Sequence, residues 1–337
     1  MAPITTLAEL SSYLASAGIG YTSIQPLSGG TANFVWRLQT SDGRTLIVKH
    51  AEPYIASIPS IPFPVDRMDF EARALEQIPR LLGRVETEVP VRVVRLVRYD
   101  AGAKVLVMED GGEKTLKESY TDPTLPIPQL GATLSKWLAK LHASTATTDA
   151  TVGDNQTAKF IYRHSYNGLA DALERFGFDR TIGERVNENY GSLLQTDDEC
   201  ICHGDFWPGN VLLRRADNAP PTLALVDWEM TRRGTGATDV GQFAAEAWLL
   251  DRFRGQRGLA SAFLRSYVDA AKPSKEFLRR VVVHFGTHIA FWPTSVVWGS
   301  EEETREVVGI GKGVLEGALE GEWALDEAGL GIGEWSL

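Results

Sequence analysis

The stretch of residues 201–213, ICHGDFWPGNVLL, constrains the fold of this chain more than any other. It places His203, Asp205 and Asn210 within eight positions, between two short apolar runs. Short apolar runs bounded by turn residues are typical of buried strands, so the three polar side chains belong to the loop that joins two strands. Asp205 has no Ser–His or Cys–His pair beside it with which to form a nucleophilic triad. What this aspartate does must therefore be inferred from other motifs along the chain.

Size and charge narrow the class of protein. A chain of 337 residues is long for one compact core and sufficient for two lobes. Its net charge of −10 argues against nucleic acid as a partner, and no apolar run approaches the roughly 18 residues that a membrane helix needs. Cys200 and Cys202 would point to opposite faces of a strand, which suits neither a disulfide nor a metal clip. We therefore expect a cytoplasmic monomer or homodimer that binds neither nucleic acid nor a membrane.

The first third of the chain has the pattern of a β-rich unit. Thr6 and Glu9 form a capping box before a helical run. The alternating segment FVWRLQT predicts a strand, and TLIVKH returns as the next strand after a tight turn at Asp42-Gly43. Residues 52–66 carry four prolines, and we expect an irregular loop there. A helix at RMDFEARALEQI and strands at 91–98 and 104–109 complete this unit.

Beyond residue 111 helical periodicity dominates. In QLGATLSKWLAKLHAS the apolar residues fall on one helical face, and short strands interrupt the helices only around residues 201–226. The prediction is an α+β, bilobal fold, with a β-rich N-lobe at 1–111 and a mostly helical C-lobe at 112–337.

The N-lobe contains a glycine turn, a lysine and a glutamate in a suggestive order. LSGGTANF, with Gly29, Gly30 and Asn33, lies between two predicted strands; Lys49 ends an apolar strand, and Glu71 lies in the following helix. Each feature alone is most often a bare turn or a solvated charge. Their order is typical of kinase-like ATP sites, where glycines admit phosphates, the lysine contacts them and the glutamate holds the lysine.

The C-lobe has the complementary pattern. His203, Asp205 and Asn210 have the spacing H-x-D-x-x-x-x-N of a kinase catalytic loop, and Asp227 follows the apolar run LALV. Asn210 and Asp227 could hold Mg²⁺, with Glu229 as a further ligand. Asp205 would then accept and orient the hydroxyl of the substrate.

Two late segments have competing interpretations. His284 and His288 are four residues apart, but Phe285 stands where a zinc protease has glutamate, so metal binding is disfavoured. The aromatic stripe that includes His288 and Trp292 predicts core packing or, together with Trp207, a wall of the acceptor site. GIGKGV at 309–314 lacks the Ser or Thr of a phosphate loop and predicts a flexible helix end.

These motifs resemble those of the aminoglycoside phosphotransferase/choline kinase superfamily, which has a protein-kinase-like fold. The resemblance rests on HGDFWPGN, on VDWE and on Leu141-His142. Within the superfamily, GGTANFVWRL is similar to methylthioribose kinases, and LSGG, KHAEP, VDWEM and WGSEEE are similar to fungal hydroxytryptamine kinases.

The resemblance implies a small-molecule kinase that uses ATP and Mg²⁺ in the cleft between its lobes. It makes Asp205 the catalytic base, and it assigns a structural role to Asp239, which would hold the catalytic loop. It also implies an inter-lobe hinge at 108–111, MEDG, that binds adenine through its backbone. The remaining roles that it implies are metal ligation by Asn210 and Asp227, phosphate anchoring by Lys49 and Glu71, and hinge contacts by Met108, Glu109 and Gly111.

The acceptor stays open between a hydroxylated amine, an aromatic and a sugar-like metabolite. Methylthioribose is one alternative, although Asn210 and the Asp-Trp-Glu motif depart from the serine and Asp-Pro-Glu of methylthioribose kinases. A protein kinase is disfavoured because Gly204 replaces the arginine that reads a phosphorylated activation loop, and only eleven residues separate Asp227 from Asp239. An inactive kinase-like binding module would be expected to have lost at least one catalytic residue, and none is lost.

Overall fold

The structure, a computed structural model, describes residues 3–27, 30–83, 90–147, 152–216 and 219–321. Gly29, one of the predicted phosphate-binding residues, lies outside these ranges. The α+β prediction is confirmed: an antiparallel five-stranded sheet forms the N-terminal part, and the remainder is mostly helical. Within the described ranges, no helix is both long enough and apolar enough to cross a membrane.

The N-terminal sheet has the strand order β1-β2-β3-β8-β7 and carries one helix on each face. α1 begins with the predicted capping box and packs on the face that includes Leu46 and Val48. α2 packs on the face that includes Ile47, because neighbouring strand residues point to opposite faces. The elements up to the hinge are α1 (Leu7–Ser16), β1 (Tyr21–Pro26), β2 (Phe34–Thr40), β3 (Thr45–His50), β4 (Tyr54–Ile55), β5 (Ile58–Pro62), α2 (Arg67–Leu82), β6 (Val91–Val93), β7 (Leu96–Asp100) and β8 (Val105–Glu109).

The expectation of an irregular loop at 52–66 is wrong, because β4 and β5 form a two-stranded antiparallel ribbon there. The register is irregular, and Tyr54 pairs with Pro62 whereas Ile55 pairs with Ile58. Every residue of β5 is exposed. Proline removes a backbone donor, which breaks a central strand but is tolerated on an exposed strand of a two-stranded ribbon such as β5.

The C-terminal part is built from packed helices. α4 packs on α9, and α10 packs on α8 and α11. The apolar face predicted for α4 is buried, as Leu130, Leu134 and Trp137 demonstrate. The elements are β9 (Lys114–Thr115), α3 (Leu116–Ser119), α4 (Ile127–Thr145), α5 (Gln156–Tyr162), α6 (His164–Arg175), α7 (Arg180–Val186), β10 (Cys200–Cys202), β11 (Val211–Ala216), β12 (Ala219–Leu225), β13 (Arg232–Gly234), α8 (Ala237–Arg254), α9 (Leu259–Ala271), α10 (Lys275–Phe291) and α11 (Glu301–Glu320).

A second sheet, of order β6-β12-β11-β9, positions residues 203–210, the predicted catalytic loop, hereafter called the catalytic loop. β11 and β12 are antiparallel, and Val211 pairs with Leu225. This pair lies at the end of the sheet where the catalytic loop joins β11 and where Asp227 follows β12. The backbone N–H of Val226 donates to the carbonyl oxygen of Asn210 at 3.1 Å. β6 precedes the hinge in sequence yet pairs in parallel with β12.

The prediction that GIGKGV is a flexible helix end is also wrong. The segment lies inside α11, where Gly311 packs so closely on α10 that a Cβ atom would lie 2.9 Å from the Cβ of Ala290. Gly311 therefore allows α10 and α11 to cross at short distance, which is a packing role.

Candidate active site

Lys49 is buried at the centre of a group of carboxylates. Its Nζ donates to Glu71 Oε2 at 2.6 Å and to Asp227 Oδ1, and lies 3.4 Å from Glu229 Oε2. β3 presents the lysine, α2 presents Glu71, and the turn after β12 presents both other acids. Burial opposes its charge, but the attraction of Asp227, Glu229 and Glu71 outweighs burial and raises the pKa of Lys49 well above its ordinary value. The lysine is therefore a fixed cation.

The pKa values of the three acids differ because their surroundings differ. Glu71 is fully buried, and burial raises its pKa to about 7 despite the charge of Lys49. Burial opposes ionisation of Asp227 as well, yet its bond to Lys49 lowers its pKa. Burial raises the pKa of Glu229. Asp227 is thus the most readily ionised of the three acids. Its side chain is also the most exposed, at 37% against 0% for Glu71 and 7% for Glu229.

The carboxylates could hold a divalent cation. Oxygen atoms of Glu71, Asp227 and Glu229 lie within 4.8 Å of one another, and carboxylate oxygens are the ligands that Mg²⁺ prefers. Asp227 has a left-handed backbone, with φ 65°, a strained conformation that is concentrated at functional sites. Asn210 donates its amide N–H to Asp205, which leaves the oxygen end of the same amide to face a cation. The residues present fit a magnesium ion.

Glu229 and Asn33 also have a structural task. Glu229 Oε2 accepts a hydrogen bond from Asn33 Nδ2 at 2.5 Å and lies 3.6 Å from Arg67 Nε. Arg67 is completely buried and donates to Asn33 Oδ1 at 3.0 Å and to the carbonyl oxygen of Ala32. Arg67 was not predicted from the sequence. It fixes the turn that contains Gly30 and Asn33 against the turn that follows β12.

Asp205 lies near the start of the catalytic loop, three residues after the end of β10. Its Oδ2 accepts a hydrogen bond from Asn210 Nδ2 at 2.9 Å, and its Oδ1 accepts one from Gln242 Nε2 at 2.6 Å. Burial and the charge of Asp227 raise the pKa of Asp205 to about 7, whereas the two amide donors act in the opposite direction. A carboxylate with a pKa near neutrality suits a group that accepts a proton.

His203 and Asp239 hold the catalytic loop in place. Asp239 accepts backbone hydrogen bonds from His203 at 2.7 Å and from Gly204 at 3.0 Å, in agreement with its predicted structural role. The backbone N–H of Asp205 donates to His203 Nδ1, so His203 Nε2 carries the proton that it donates to the carbonyl oxygen of Val226. Burial lowers the pKa of His203 and keeps the ring neutral.

Gly204 has φ 84°, and a Cβ atom there would overlap the carbonyl oxygen of Met230. The position therefore requires glycine. An arginine in the manner of regulated protein kinases cannot be accommodated in this backbone, and this agrees with the expectation that the chain is not a protein kinase.

The predicted hinge runs between the two sheets. Met108 is buried in β8, and a Cβ atom on Gly111 would lie 2.9 Å from Leu212 of β11. Glu109 uses its carboxylate in an ion pair with Arg92, and its backbone N–H donates to the carbonyl oxygen of Arg95 at 3.0 Å. These contacts fix the segment between the lobes. Adenine binding by the hinge stays a prediction.

The three residues predicted to contact the acceptor lie in two places: His288 and Trp292 contact each other, and Trp207 lies on the catalytic loop. His288 Nε2 donates to Glu246 Oε1 at 2.9 Å, and the Trp292 ring lies 6.2 Å from the His288 ring. Trp207, on the catalytic loop, lies 4.6 Å from Lys117 Nζ. Lys117 and Glu246, which are 3.9 Å apart, connect the two groups. His284 instead contacts Tyr166 at 3.1 Å inside the core and is not among the described residues that could share a metal.

Gln242 and Glu246 were not singled out from the sequence. Both lie on α8 in the segment DVGQFAAEAW, where they are the two polar side chains of residues 240–248 and are four positions apart. That spacing places them on one face. This signal is visible in the sequence, but its connection to Asp205 depends on how α8 packs against the catalytic loop.

Comparisons with known proteins agree with this geometry. Residues 23–278 match the family model described as the phosphotransferase enzyme family, APH. The 4-hydroxytryptamine kinase of Psilocybe cyanescens is 26% identical over 316 residues, which cover 87% of this chain and 86% of the relative. The methylthioribose kinase of Cronobacter sakazakii is 23% identical over 254 residues, which cover 67% of this chain and 60% of the relative.

A solved structure shows the same fold. A choline/ethanolamine kinase family protein from Mesorhizobium loti has a TM-score of 0.54 at 17% identity, and the match covers 94% of this chain and 95% of that one. The resemblance to the aminoglycoside phosphotransferase/choline kinase superfamily is confirmed, and so is the expectation of a small-molecule kinase. Since the family match spans well over half of its length, the chain belongs to the phosphotransferase enzyme family, APH.

Proposed function

We propose that this protein transfers the γ-phosphoryl group of ATP to a hydroxyl group of a small hydroxylated aromatic amine, with Mg²⁺ in the cleft. The observation that carries the proposal is the meeting of Lys49 with Glu71 and Asp227, from three separate chain segments. A buried lysine whose charge is fixed by two carboxylates is suited to hold phosphate groups.

Lys49 and each of the carboxylates around it have a proposed role. Lys49 contacts phosphate oxygens, and Glu71 holds Lys49 in place through their 2.6 Å hydrogen bond. Asp227 is the main magnesium ligand, assisted by Asn210 and Glu229. When bound, Mg²⁺ neutralises charge on the phosphate oxygens, and ATP supplies the phosphoryl group.

Asp205 acts on the acceptor. It accepts a hydrogen bond from the acceptor hydroxyl and takes its proton as the bond from oxygen to phosphorus forms and the bond to ADP breaks. Gln242 and Asn210, which bind its two oxygens, hold the carboxylate in one orientation. The residue needs no partner base because its proton comes from the substrate.

The N-lobe, residues 1–111, is proposed to bind the nucleotide, and the C-lobe, residues 112–337, to bind the acceptor. The glycine turn with Gly29 and Gly30 would cover the phosphates, and the hinge with Met108, Glu109 and Gly111 would contact adenine. Two features support an intracellular enzyme that works without nucleic acid: a net charge of −10, and cysteines that are free and buried. We propose a cytoplasmic monomer or homodimer.

The acceptor class rests on the relatives and on the aromatic side chains near Asp205. A relative that covers most of this chain phosphorylates, by its name, a hydroxylated tryptamine. Trp207 lies two residues after Asp205, and indole faces cover flat apolar surface and attract cations. Asn210 and the Asp-Trp-Glu motif favour this class over methylthioribose.

The test is an ATP-consumption screen over hydroxylated aromatic amines, amino alcohols, aminoglycosides and sugars including methylthioribose. We expect turnover with hydroxylated aromatic amines, and Asp205→Asn should lower it about 10²–10⁴-fold without loss of ATP binding. Preference for methylthioribose would replace the proposed acceptor. ATP consumption with none of these compounds, or full activity of Asp205→Asn, would contradict the proposed mechanism and favour an inactive binding module.

A further inference from the structure

Two indole rings enclose a lysine ammonium beside the catalytic loop. Lys117 Nζ, from the short helix α3, lies 4.6 Å from the Trp207 ring and 4.7 Å from the Trp298 ring. Trp207 belongs to the catalytic loop, whereas Trp298 follows α10 and is buried. An ammonium between aromatic faces is stabilised by the ring quadrupoles, and proteins recognise ammonium ligands with the same arrangement.

A carboxylate at the same place is only half satisfied. Glu246 Oε1 accepts a hydrogen bond from His288 Nε2 at 2.9 Å. Its Oε2 is buried and, within the part of the chain that the structure describes, has no hydrogen-bond partner. Lys117 Nζ lies 3.9 Å away, within ion-pair range but beyond a hydrogen bond. A buried carboxylate oxygen that accepts no hydrogen bond is unfavourable, so this position is suited to an N–H donor.

This position is adjacent to the reacting hydroxyl of the proposed mechanism. Glu246 lies four residues after Gln242 on α8, and Gln242 donates to Asp205 Oδ1 at 2.6 Å. Four residues of an α-helix span about 6 Å along its axis, and residues at this spacing share a face. A small molecule whose hydroxyl meets Asp205 can therefore place an amine beside Glu246.

We propose that Glu246, Trp207 and Trp298 form the binding site for the ammonium group of the acceptor, and that Lys117 occupies this site in the absence of the acceptor. This inference rests on the proposed function, because it concerns the acceptor of the same reaction. The Lys117 side chain is 34% exposed, against 12% for Glu246, so Lys117 is free to move toward solvent when a ligand ammonium arrives. The incoming N–H then supplies the hydrogen bond that Glu246 Oε2 lacks.

Two neighbouring charges have opposite effects on binding of the ligand. Glu246 attracts the ligand ammonium, and Lys117 competes with it for the same place. His288 is a positioning residue, since its hydrogen bond directs Glu246 Oε2 toward the indoles. Trp292 packs against His288 with ring centroids 6.2 Å apart, and this contact helps to fix the orientation of the His288 ring.

The experiment measures ligand binding by calorimetry without ATP, so its outcome does not depend on turnover. The probes are tyramine, serotonin and 4-hydroxytryptamine, each paired with the counterpart in which a hydroxyl replaces the amino group. The wild-type protein should bind at least one amine more tightly than its alcohol counterpart. If no amine does so, the ammonium site does not exist, whatever the ATP-consumption screen shows.

Glu246→Gln keeps the shape of the side chain and removes its charge. It should weaken binding of the amine about 30-fold or more, as expected when one partner of a buried charge pair is lost, and leave the alcohol counterpart unchanged. Lys117→Met removes the competitor and should tighten amine binding about fivefold. The control is Glu188→Gln, which removes the same charge from an exposed residue.

Equal effects of Glu246→Gln on the amine and on the alcohol would overturn the proposal, as would weaker amine binding by Lys117→Met. Should Glu246→Gln fail to fold, as judged by circular dichroism, the sign of the Lys117→Met effect still decides the matter. The proposed function has separate criteria, namely ATP consumption and the Asp205→Asn variant.

Discussion

Gln242 Nε2 donates a hydrogen bond to Asp205 Oδ1 at 2.6 Å, and this contact joins α8 to the catalytic loop. It holds the carboxylate in one orientation and opposes the rise that burial causes in the pKa of Asp205.

Replacing Gln242 by leucine should therefore slow the reaction. A hydrogen bond to a charged group contributes about 1.5–3 kcal/mol, so kcat should fall about 10- to 100-fold. The KM for ATP should stay nearly constant, because Gln242 contacts none of the proposed nucleotide-binding residues among those described. Gln129→Leu, at an exposed position of α4, is the matched control. Unchanged kcat in Gln242→Leu would contradict a positioning role.

Asp227→Asn should abolish turnover and the binding of Mg²⁺. In the wild type, ATP with Mg²⁺ at about 100 times its dissociation constant should raise the free energy of unfolding by about 2.7 kcal/mol. Thermal unfolding with and without Mg²⁺ measures this stabilisation, and the variant should lose the magnesium-dependent part. Glu229→Gln should cost less turnover. A magnesium effect of wild-type size in Asp227→Asn would remove this residue from the metal site.

Lys49→Met should lower both activity and stability. The substitution leaves Glu71, Asp227 and Glu229 near one another without their shared cation. Breaking a buried ion pair from one side typically costs about 3–5 kcal/mol, although protonation of Glu71 will reduce this cost. Chemical denaturation gives the change, and the exposed Lys275→Met serves as the control. Wild-type stability and activity in Lys49→Met would place the lysine outside the site.

Activity should not depend on phosphorylation of the protein. Gly204 leaves no room for an arginine, and only eleven residues separate Asp227 from Asp239, which is too short for a phosphorylation-controlled activation segment between them. Protein made in bacteria should be fully active, and treatment with a phosphatase should not change kcat. Mass spectrometry that finds activity only in a phosphorylated form would contradict this.

The sequence predicted the parts of the fold and the site that depend on local patterns. Alternating residues identified β2 and helical periodicity identified α4, because burial on one side imposes these periods, whereas β3 is buried on both faces and was identified by its position after the turn. Lys49, Asp205 and Asp227 could be singled out because their motifs are short and ordered along the chain. The ribbon of β4 and β5 was missed because proline argues against strands in general, although an exposed ribbon tolerates it.

Features that depend on packing between distant segments could not be predicted. Arg67 and Glu229 are far apart in the sequence. The role of Arg67 depends on a tertiary structure that brings α2 and the turn after β12 together at Asn33. Glu246 has one oxygen that accepts no hydrogen bond from the residues that the structure describes, and this feature exists only in the folded chain. The identity of these residues is visible in the sequence, but their environment is a property of the tertiary structure.

The pairing of β6 with β12 has a consequence for attempts to divide the protein. The chain enters the second sheet at residues 91–93, returns to the first sheet with β7 and β8, and only then passes the hinge. A fragment that ends at residue 111 would keep β6 and leave β12 on the other fragment, so each piece would expose an unpaired strand edge. Exchange of residues 1–111 with the matching part of a relative should therefore keep β6 together with β12, by means of one junction between α2 and β6 and another between β6 and β7.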